Sequence, residues 1–228
     1  MRELLSGLLE LALPPSCAGC GSATPASAVL CARCDARLPR LAAAGASTGT
    51  APPLAACCAA VAYQGDVEDW IHRFKYPRRG WRGLDPAPLG VARQLVIEAA
   101  RAAPGPPPAS IVPVPLHPRR LRERGFNPAA LLARSIAREW RLRFDATLLL
   151  RVRDTPSQTG LDRRARRANV RGAFQVRPAA GAPRVIWLVD DVVTTGSTLV
   201  ECARALRRVG AREVVAICIA RTPDAREA

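Results

Sequence analysis

The stretch Val185-Ile-Trp-Leu-Val-Asp190-Asp191-Val192-Val193-Thr194-Thr195-Gly196-Ser197-Thr198 decides how this chain is read. Its five leading apolar residues form an uninterrupted run, the pattern of a strand covered on both faces. Two adjacent carboxylates follow, then a turn of small and hydroxyl residues that feeds a helix expected over residues 198–209. Such a turn offers backbone N–H groups, the hydroxyls of Thr194, Thr195, Ser197 and Thr198, and a positive helix end, which together suit a phosphate monoester. Asp190 and Asp191 repel phosphate, so they must serve a polyhydroxylated group or a cation beside it. A ribose diol bearing a 5′-phosphate answers both demands. The plainer reading is a capped helix after a buried strand, with the Asp pair favouring the helix start. It leaves the run of small and hydroxyl residues in the turn unexplained.

Working outward, apolar runs alternate with amphipathic stretches. Strands are expected at 57–63, 111–115, 147–152, 185–189 and 213–220, and helices at 67–75, 89–103, 128–140 and 198–209. Pro104 to Pro108 forces a loop between them. Strands separated by helices imply an α/β fold with a mostly parallel sheet covered by helices, in which ligands collect beyond the carboxyl ends of the strands. Weight therefore falls on the segments that leave strands.

The chain has 228 residues, 49% of them hydrophobic, and a formal net charge of +15. That apolar content supports a core and excludes disorder as the overall description. Residues 117–171 hold 15 Arg against five acids, so the positive charge gathers beside the motifs discussed here. No apolar run is long enough to span a bilayer, so no membrane insertion is expected. Residues 1–13 read as a short amphipathic helix rather than an export signal, because Glu3 and Glu10 flank or interrupt the leucines. A cytoplasmic location follows, where the eight cysteines are thiols or metal ligands.

Four of these cysteines form Cys17-Ala-Gly-Cys20 and Cys31-Ala-Arg-Cys34. Two such pairs make two knuckles and complete a tetrahedral thiolate site for a structural Zn2+, with no open position for water. The alternatives are chance pairs or a redox dithiol, and a redox dithiol needs no duplication. Cys57, Cys58, Cys202 and Cys218 lie in apolar segments and read as core residues. Three units are expected: residues 1–40 with the helix and the four-cysteine zinc module, a linker over 41–55, and an α/β domain over 56–228.

The 185–198 segment resembles the phosphoribosyl-pyrophosphate (PRPP) loop of type I phosphoribosyltransferases. The CxxC pairs together with Ile111-Val-Pro-Val-Pro115, Arg124-Gly-Phe-Asn127, Thr155-Pro-Ser-Gln158, Leu161, Arg167-Ala-Asn169 and Ala173-Phe174 are similar to the ComF family over essentially the whole chain. The resemblance implies a type I phosphoribosyltransferase-like domain beside a small zinc-ribbon-like module. It links the chain to DNA uptake in natural transformation, with a helicase-like ATPase as partner. It implies that Asp190 and Asp191 are the catalytic carboxylates and that Asp190, Asp191, Val192, Val193, Thr194, Thr195, Gly196, Ser197 and Thr198 bind PRPP with Mg2+. Pyrophosphate and flap contacts would come from Pro115, Leu116, Arg119, Arg124, Gln158, Arg167, Asn169 and Lys75, the chain's only lysine.

Physically, dense guanidinium after Pro118 suits a diphosphate leaving group. The polar, basic residues 153–172 correspond to a mobile flap in related enzymes, or form a solvated loop. Lys75 at a helix end equally fits the helix dipole. His117 is tempting as an acid or base, but a lone His in a basic loop is more often solvated or in contact with phosphate. Two departures stand out. The family's RGFNQ reads Arg124-Gly-Phe-Asn-Pro128 here, losing a side-chain amide, and Thr194 stands where purine-salvage enzymes carry an acid, which argues against 6-oxopurine transfer. The ten aromatics fall mostly on helices or strands, and no platform for a nucleobase is evident. Three readings follow: displacement of pyrophosphate from PRPP, a non-catalytic accessory protein that binds single-stranded DNA, and a PRPP-sensing regulator.

Overall fold

A computed structural model describes residues 15–42, 52–77, 86–155, 163–177 and 181–223. The expected N-terminal helix at 1–13, Gln158 and Leu161 lie outside these residues. The described elements are α1 (Ala32–Ala36), β1 (Ala56–Ala62), α2 (Asp66–Lys75), α3 (Pro86–Arg101), β2 (Ser110–Pro113), α4 (Pro118–Arg124), α5 (Pro128–Glu139), β3 (Leu149–Arg151), α6 (Arg163–Val170), β4 (Phe174–Val176), β5 (Val185–Val189), β6 (Val192–Val193), α7 (Ser197–Arg208) and β7 (Glu213–Arg221).

Strands pair in the order β1-β7-β5-β2, all parallel, and β6 joins the far end of β7. The buried runs of β1 and β7 read as continuous apolar stretches because helices cover both faces of the sheet. On one face Ile111, Trp187, Val215, Ile217 and Ile219 pack against α2, α3 and α5. On the other, Val112, Ile186, Leu188 and Ala216 pack against α7 and the β3–β4 ribbon. Alternation along β1 sends Cys58 to the first face and Cys57 to the second, which gives these two thiols the core role expected of them. Helix α2 buries Val67, Trp70, Ile71 and Phe74, an i, i+3, i+4, i+7 stripe. In α7, Leu199, Cys202, Ala203 and Leu206 repeat that spacing.

Two helices stand where loops were expected. Helix α4 forms because His117 caps it, its Nδ1 accepting the Arg119 N–H at 3.4 Å, and because Pro118 occupies the first turn, where a missing N–H costs nothing. Helix α6 lies within the expected flap, between β3 and β4. These two strands pair antiparallel, with Arg151 opposite Phe174, and form a ribbon apart from the main sheet at the two ends of the segment expected to be a flap. The Cys-rich segment packs on the first face: Cys17, Leu30 and Leu38 share the core with Trp70 and Val91. Beyond it, the Leu41 N–H donates to the Ala60 carbonyl of β1.

Candidate functional site

Parallel pairing brings the carboxyl ends of β1, β2, β5 and β7 to one edge, where the segments leaving β1, β2 and β5 emerge, the edge at which ligands collect in such sheets. Asp190 and Asp191 follow β5 directly. The Asp190 N–H donates to Ile217 O at 3.0 Å and the Ile219 N–H to Asp191 O at 2.9 Å, so β7 holds the backbone of both acids. The side chains fold over their own backbone, Asp190 Oδ1 accepting the Asp191 N–H at 2.9 Å and Asp191 Oδ1 accepting the Val192 N–H at 2.7 Å. Lys75, the last residue of α2, reaches Asp191 Oδ1 with its Nζ at 2.9 Å. Its ammonium therefore does more than complement a helix dipole. Desolvation, and then the neighbouring Asp191 charge, push the Asp190 carboxyl up to about 7.

The chain continues through β6 into the hydroxyl-lined turn. Gly196 caps α7 in the left-handed conformation, φ 70°, where a side chain would be strained. Thr195 Oγ1 and Ser197 Oγ lie 2.8 Å apart and the Ser197 N–H points to Thr195 Oγ1 at 3.5 Å, a weak contact. Thr194 is exposed, Thr195 and Thr198 half-buried and Ser197 buried, so three of the four hydroxyl residues keep some contact with solvent beside the start of a twelve-residue helix.

The remaining predicted residues divide into groups. Pro115 and Leu116 lead from β2, half-buried, into α4. Arg119 pairs with Glu123 at 3.0 Å and lies 3.5 Å from Asp154, while His117 Nδ1 lies 3.6 Å from Asp154. His117 thus caps a helix and faces a carboxylate at the flap root. Arg120 donates to Thr155 O at 3.1 Å, so α4 and the flap root are clasped together. Arg124 turns instead to Tyr76, donating to its hydroxyl at 2.8 Å. Asn127 accepts the Ala129 N–H at 3.1 Å as the cap of α5 and donates to Val114 O at 2.9 Å, so the following Pro128 begins a well-capped helix. Arg167 is exposed and Asn169 half-buried on α6.

Sequence reading missed Arg151. It ends β3, hydrogen-bonds Thr155, places its guanidinium 5.5 Å from the Phe174 ring centre and leaves its buried Nε without a partner. Burial, and then the Arg120 charge, lower its pKa, and Asp190 is among the charges that oppose this. Period-two alternation from buried Leu149 past exposed Leu150 was the available signal. The flap's other root is held by Glu201, which accepts the Gly172 N–H at 3.0 Å and pairs with Arg204 at 3.0 Å.

The sulfurs of Cys17, Cys20, Cys31 and Cys34 all lie within 4.8 Å of one another. Cys20 and Cys31 are 3.8 Å apart, the edge of about 3.8 Å that a tetrahedron with bonds of about 2.3 Å requires. Cys17 Sγ accepts the N–H of Cys31 at 3.2 Å and of Gly19 at 3.4 Å, as a thiolate in a knuckle does. Hydrogen bonds from Ser22 draw Cys20 down to about 5, whereas the contact with Cys20 pushes Cys34 up to about 12. The four residues thus fit a metal ion.

A parallel α/β sheet carries an acidic pair at a strand end and a hydroxyl turn leading into the next helix, and over this last part of the chain, residues 177–228, the family model "Phosphoribosyl transferase domain" matches. The DNA utilization protein YhgH of Escherichia coli (strain K12) is 34% identical over 215 residues, 90% of each chain. The chain belongs to the ComF family of DNA utilization and competence proteins. Competence protein F of Haemophilus influenzae is 35% identical over 146 residues, 63% of each chain. Glutamine phosphoribosylpyrophosphate (PRPP) amidotransferase of B. subtilis aligns at TM-score 0.40 and 19% identity, covering 63% of this chain and 29% of its own. No helix among the described residues is long and apolar enough to cross a membrane.

Proposed function

We propose that this edge of the sheet binds PRPP, or a related phosphoribose ligand, as its Mg2+ complex. The observation that carries this is the Asp190–Asp191 pair, steadied by Lys75 at 2.9 Å and followed at once by the Gly196-capped hydroxyl turn. The turn takes the 5′-phosphate through N–H and hydroxyl donors, and the two carboxylates accept hydrogen bonds from the ribose diol. Arg119 and Arg120, on the helix that follows β2, would take the diphosphate on C1. The chemistry this arrangement favours is displacement at C1. The C1–O bond breaks with its electron pair leaving on pyrophosphate, a lone pair of the acceptor nucleophile forms the new bond to C1, carboxylates offset the oxocarbenium-like charge between the two events, and guanidinium groups stabilise the departing anion. The four-cysteine cluster holds Zn2+ and does no chemistry, and the thiols fit a reducing cytoplasm.

Calorimetry with Mg2+ and PRPP tests the reading: wild type binds, and replacing both carboxylates (Asp190→Asn with Asp191→Asn) removes binding. Unchanged affinity in that double variant refutes the diol assignment. Elemental analysis should find about one zinc per chain, and less than about half an equivalent counts against four-thiolate coordination. A second reading, in which single-stranded DNA is held without turnover, draws on a cleft between the Cys-rich segment and α3 and α5, bordered by Arg93, Arg101, Arg138 and Arg141. Binding there would weaken steeply with salt and survive the loss of both carboxylates.

A further inference from the structure

A cleft of about 1120 Å3 opens between the Cys-rich segment, α3 and the end of α5, and none of the residues assigned to the phosphoribose site lines it. Its walls are set in advance. A Cβ at Gly90 of α3 would stand 2.9 Å from Val29 Cγ1, so the Cys-rich segment lies directly on that helix. Arg40 pairs with Asp35 at 2.9 Å and with Glu98 at 3.4 Å, and Gln94 donates to both carboxylates at 3.1 Å. Arg101 pairs with Glu139 at 3.3 Å, tying α3 to α5. Every acid of the lining therefore has a partner inside the protein. Arg93, Arg138 and Arg141 do not: all three line the cleft, are exposed and meet no acid among the described residues. Val29 and Ile97, half-buried, add apolar surface beside them.

Arg141 stands there at a cost. It is the one non-glycine residue with a positive φ, 54°, among the described residues. Helix α5 ends in a Schellman turn, the Leu142 N–H donating to Ala137 O at 2.8 Å and the Arg141 N–H pointing to Arg138 O at 3.4 Å, and glycine is the residue that takes this position without strain. An arginine in that conformation points to a task for its guanidinium. The lining also selects among anions. No aromatic ring of the described residues lines the cleft, so bases have nothing to stack on. A phosphate backbone carries a charge at every unit and would meet Asp35, Glu98 and Glu139 along with the arginines. A peptide places its carboxylates singly, with apolar side chains between them, and the cleft exceeds the range of about 300–1,000 Å3 usual for small ligands. We propose that the cleft docks an acidic peptide segment of a partner protein, Arg93, Arg138 and Arg141 taking its carboxylates and Val29 and Ile97 an apolar side chain. Such docking needs nothing of the phosphoribose site, and it takes the cleft from single-stranded DNA.

Fluorescence anisotropy with the full chain and a labelled peptide of alternating Glu and Leu, at physiological ionic strength, tests the docking. Wild type should bind it. Arg93→Ala with Arg138→Ala should weaken binding at least about tenfold, because two charge-assisted contacts are lost. Arg208→Ala with Arg212→Ala, which removes the same charge beyond the far end of α7, should leave affinity within about twofold, since distant exposed charges are screened. Arg141→Gly should weaken binding severalfold while leaving the urea midpoint no lower, as glycine relieves the strain. No binding by wild type, or equal loss in the two double variants, overturns the proposal, and so does unchanged affinity in Arg141→Gly. Tighter binding of oligothymidylate that the Arg93 and Arg138 replacements abolish would give the cleft to single-stranded DNA, and self-association that they abolish would give it to a second copy of the chain. Either result overturns peptide docking.

Discussion

Replacing Asp190 by Asn should stabilise the ligand-free protein, and more so as the pH rises. Desolvation and the neighbouring Asp191 move the Asp190 carboxyl from its ordinary 3.8 to about 7. An acid with a raised pKa in the fold keeps its proton there after the unfolded chain has lost it. Across that window the native state binds more protons, so stability falls with rising pH until the folded group also ionises. An amide has the same shape, still accepts the Asp191 N–H now held at 2.9 Å, and never ionises. Linkage between those two values gives wild type a loss, relative to Asp190→Asn, of about 3 kcal/mol between about pH 5 and about pH 8, trimmed to about 2 by the carboxyl's partial solvent contact. Urea unfolding of both proteins at the two pH values measures it. A stability difference that does not grow with pH, or a variant less stable than wild type at about pH 8, would refute the assignment of Asp190 as a carboxylate held at a cost. Addition of Mg2+ and PRPP should then favour wild type alone, through mass action on the native state.

Two other substitutions probe the supports of the site. Gly19→Ala would place a Cβ 2.9 Å from Cys34 Sγ and 3.4 Å from the Trp70 ring, so the sulfur must shift. Metal affinity in a chelator competition should fall at least about tenfold, and unchanged retention would mean that the knuckle is looser than its geometry. Asn127→Ala removes both the α5 cap and the bond to Val114, and should cost about 1–2 kcal/mol in chemical denaturation. Asn127→Asp keeps the cap oxygen and should recover about half of that loss.

Periodicity made the main sheet legible. Residues 185–189 emerged as β5 without correction, and α2, α5 and α7 appeared within a few residues of their apolar stripes. Helix α4 was hidden because Pro113, Pro115 and Pro118 read as a turn, although proline at a helix start and a capping His117 are compatible with helix. Helix α6 was hidden because Arg163-Arg-Ala-Arg-Arg-Ala-Asn-Val170 carries almost no apolar face, and among its described side chains only Val170 reaches the core. The antiparallel β3–β4 ribbon depends on a register set across the intervening flap, which local pattern does not contain. At the site, Asp190, Asp191 and the turn were readable because they are contiguous. Arg151 was not, because it ends a leucine-rich strand and its value comes from neighbours distant in sequence.

Helix α2 shows why that distance matters. Trp70, Ile71 and Phe74 fix its rotation: Trp70 lies beside the Cys34 knuckle, and Phe74 packs against Phe126, which follows α4. Each residue advances about 100° around a helix, so once Phe74 is seated in the core, Lys75 has only one direction left, and that direction leads to Asp191. Dipole complementarity alone would leave the ammonium in solvent, where its attraction to the helix end is weak. Instead it is three-quarters covered and paired. The charge balance of the acidic pair is therefore set by apolar contacts, some of them with the Cys-rich segment, so disturbing the knuckle, the Phe74–Phe126 contact or Lys75 itself reaches the same carboxylate.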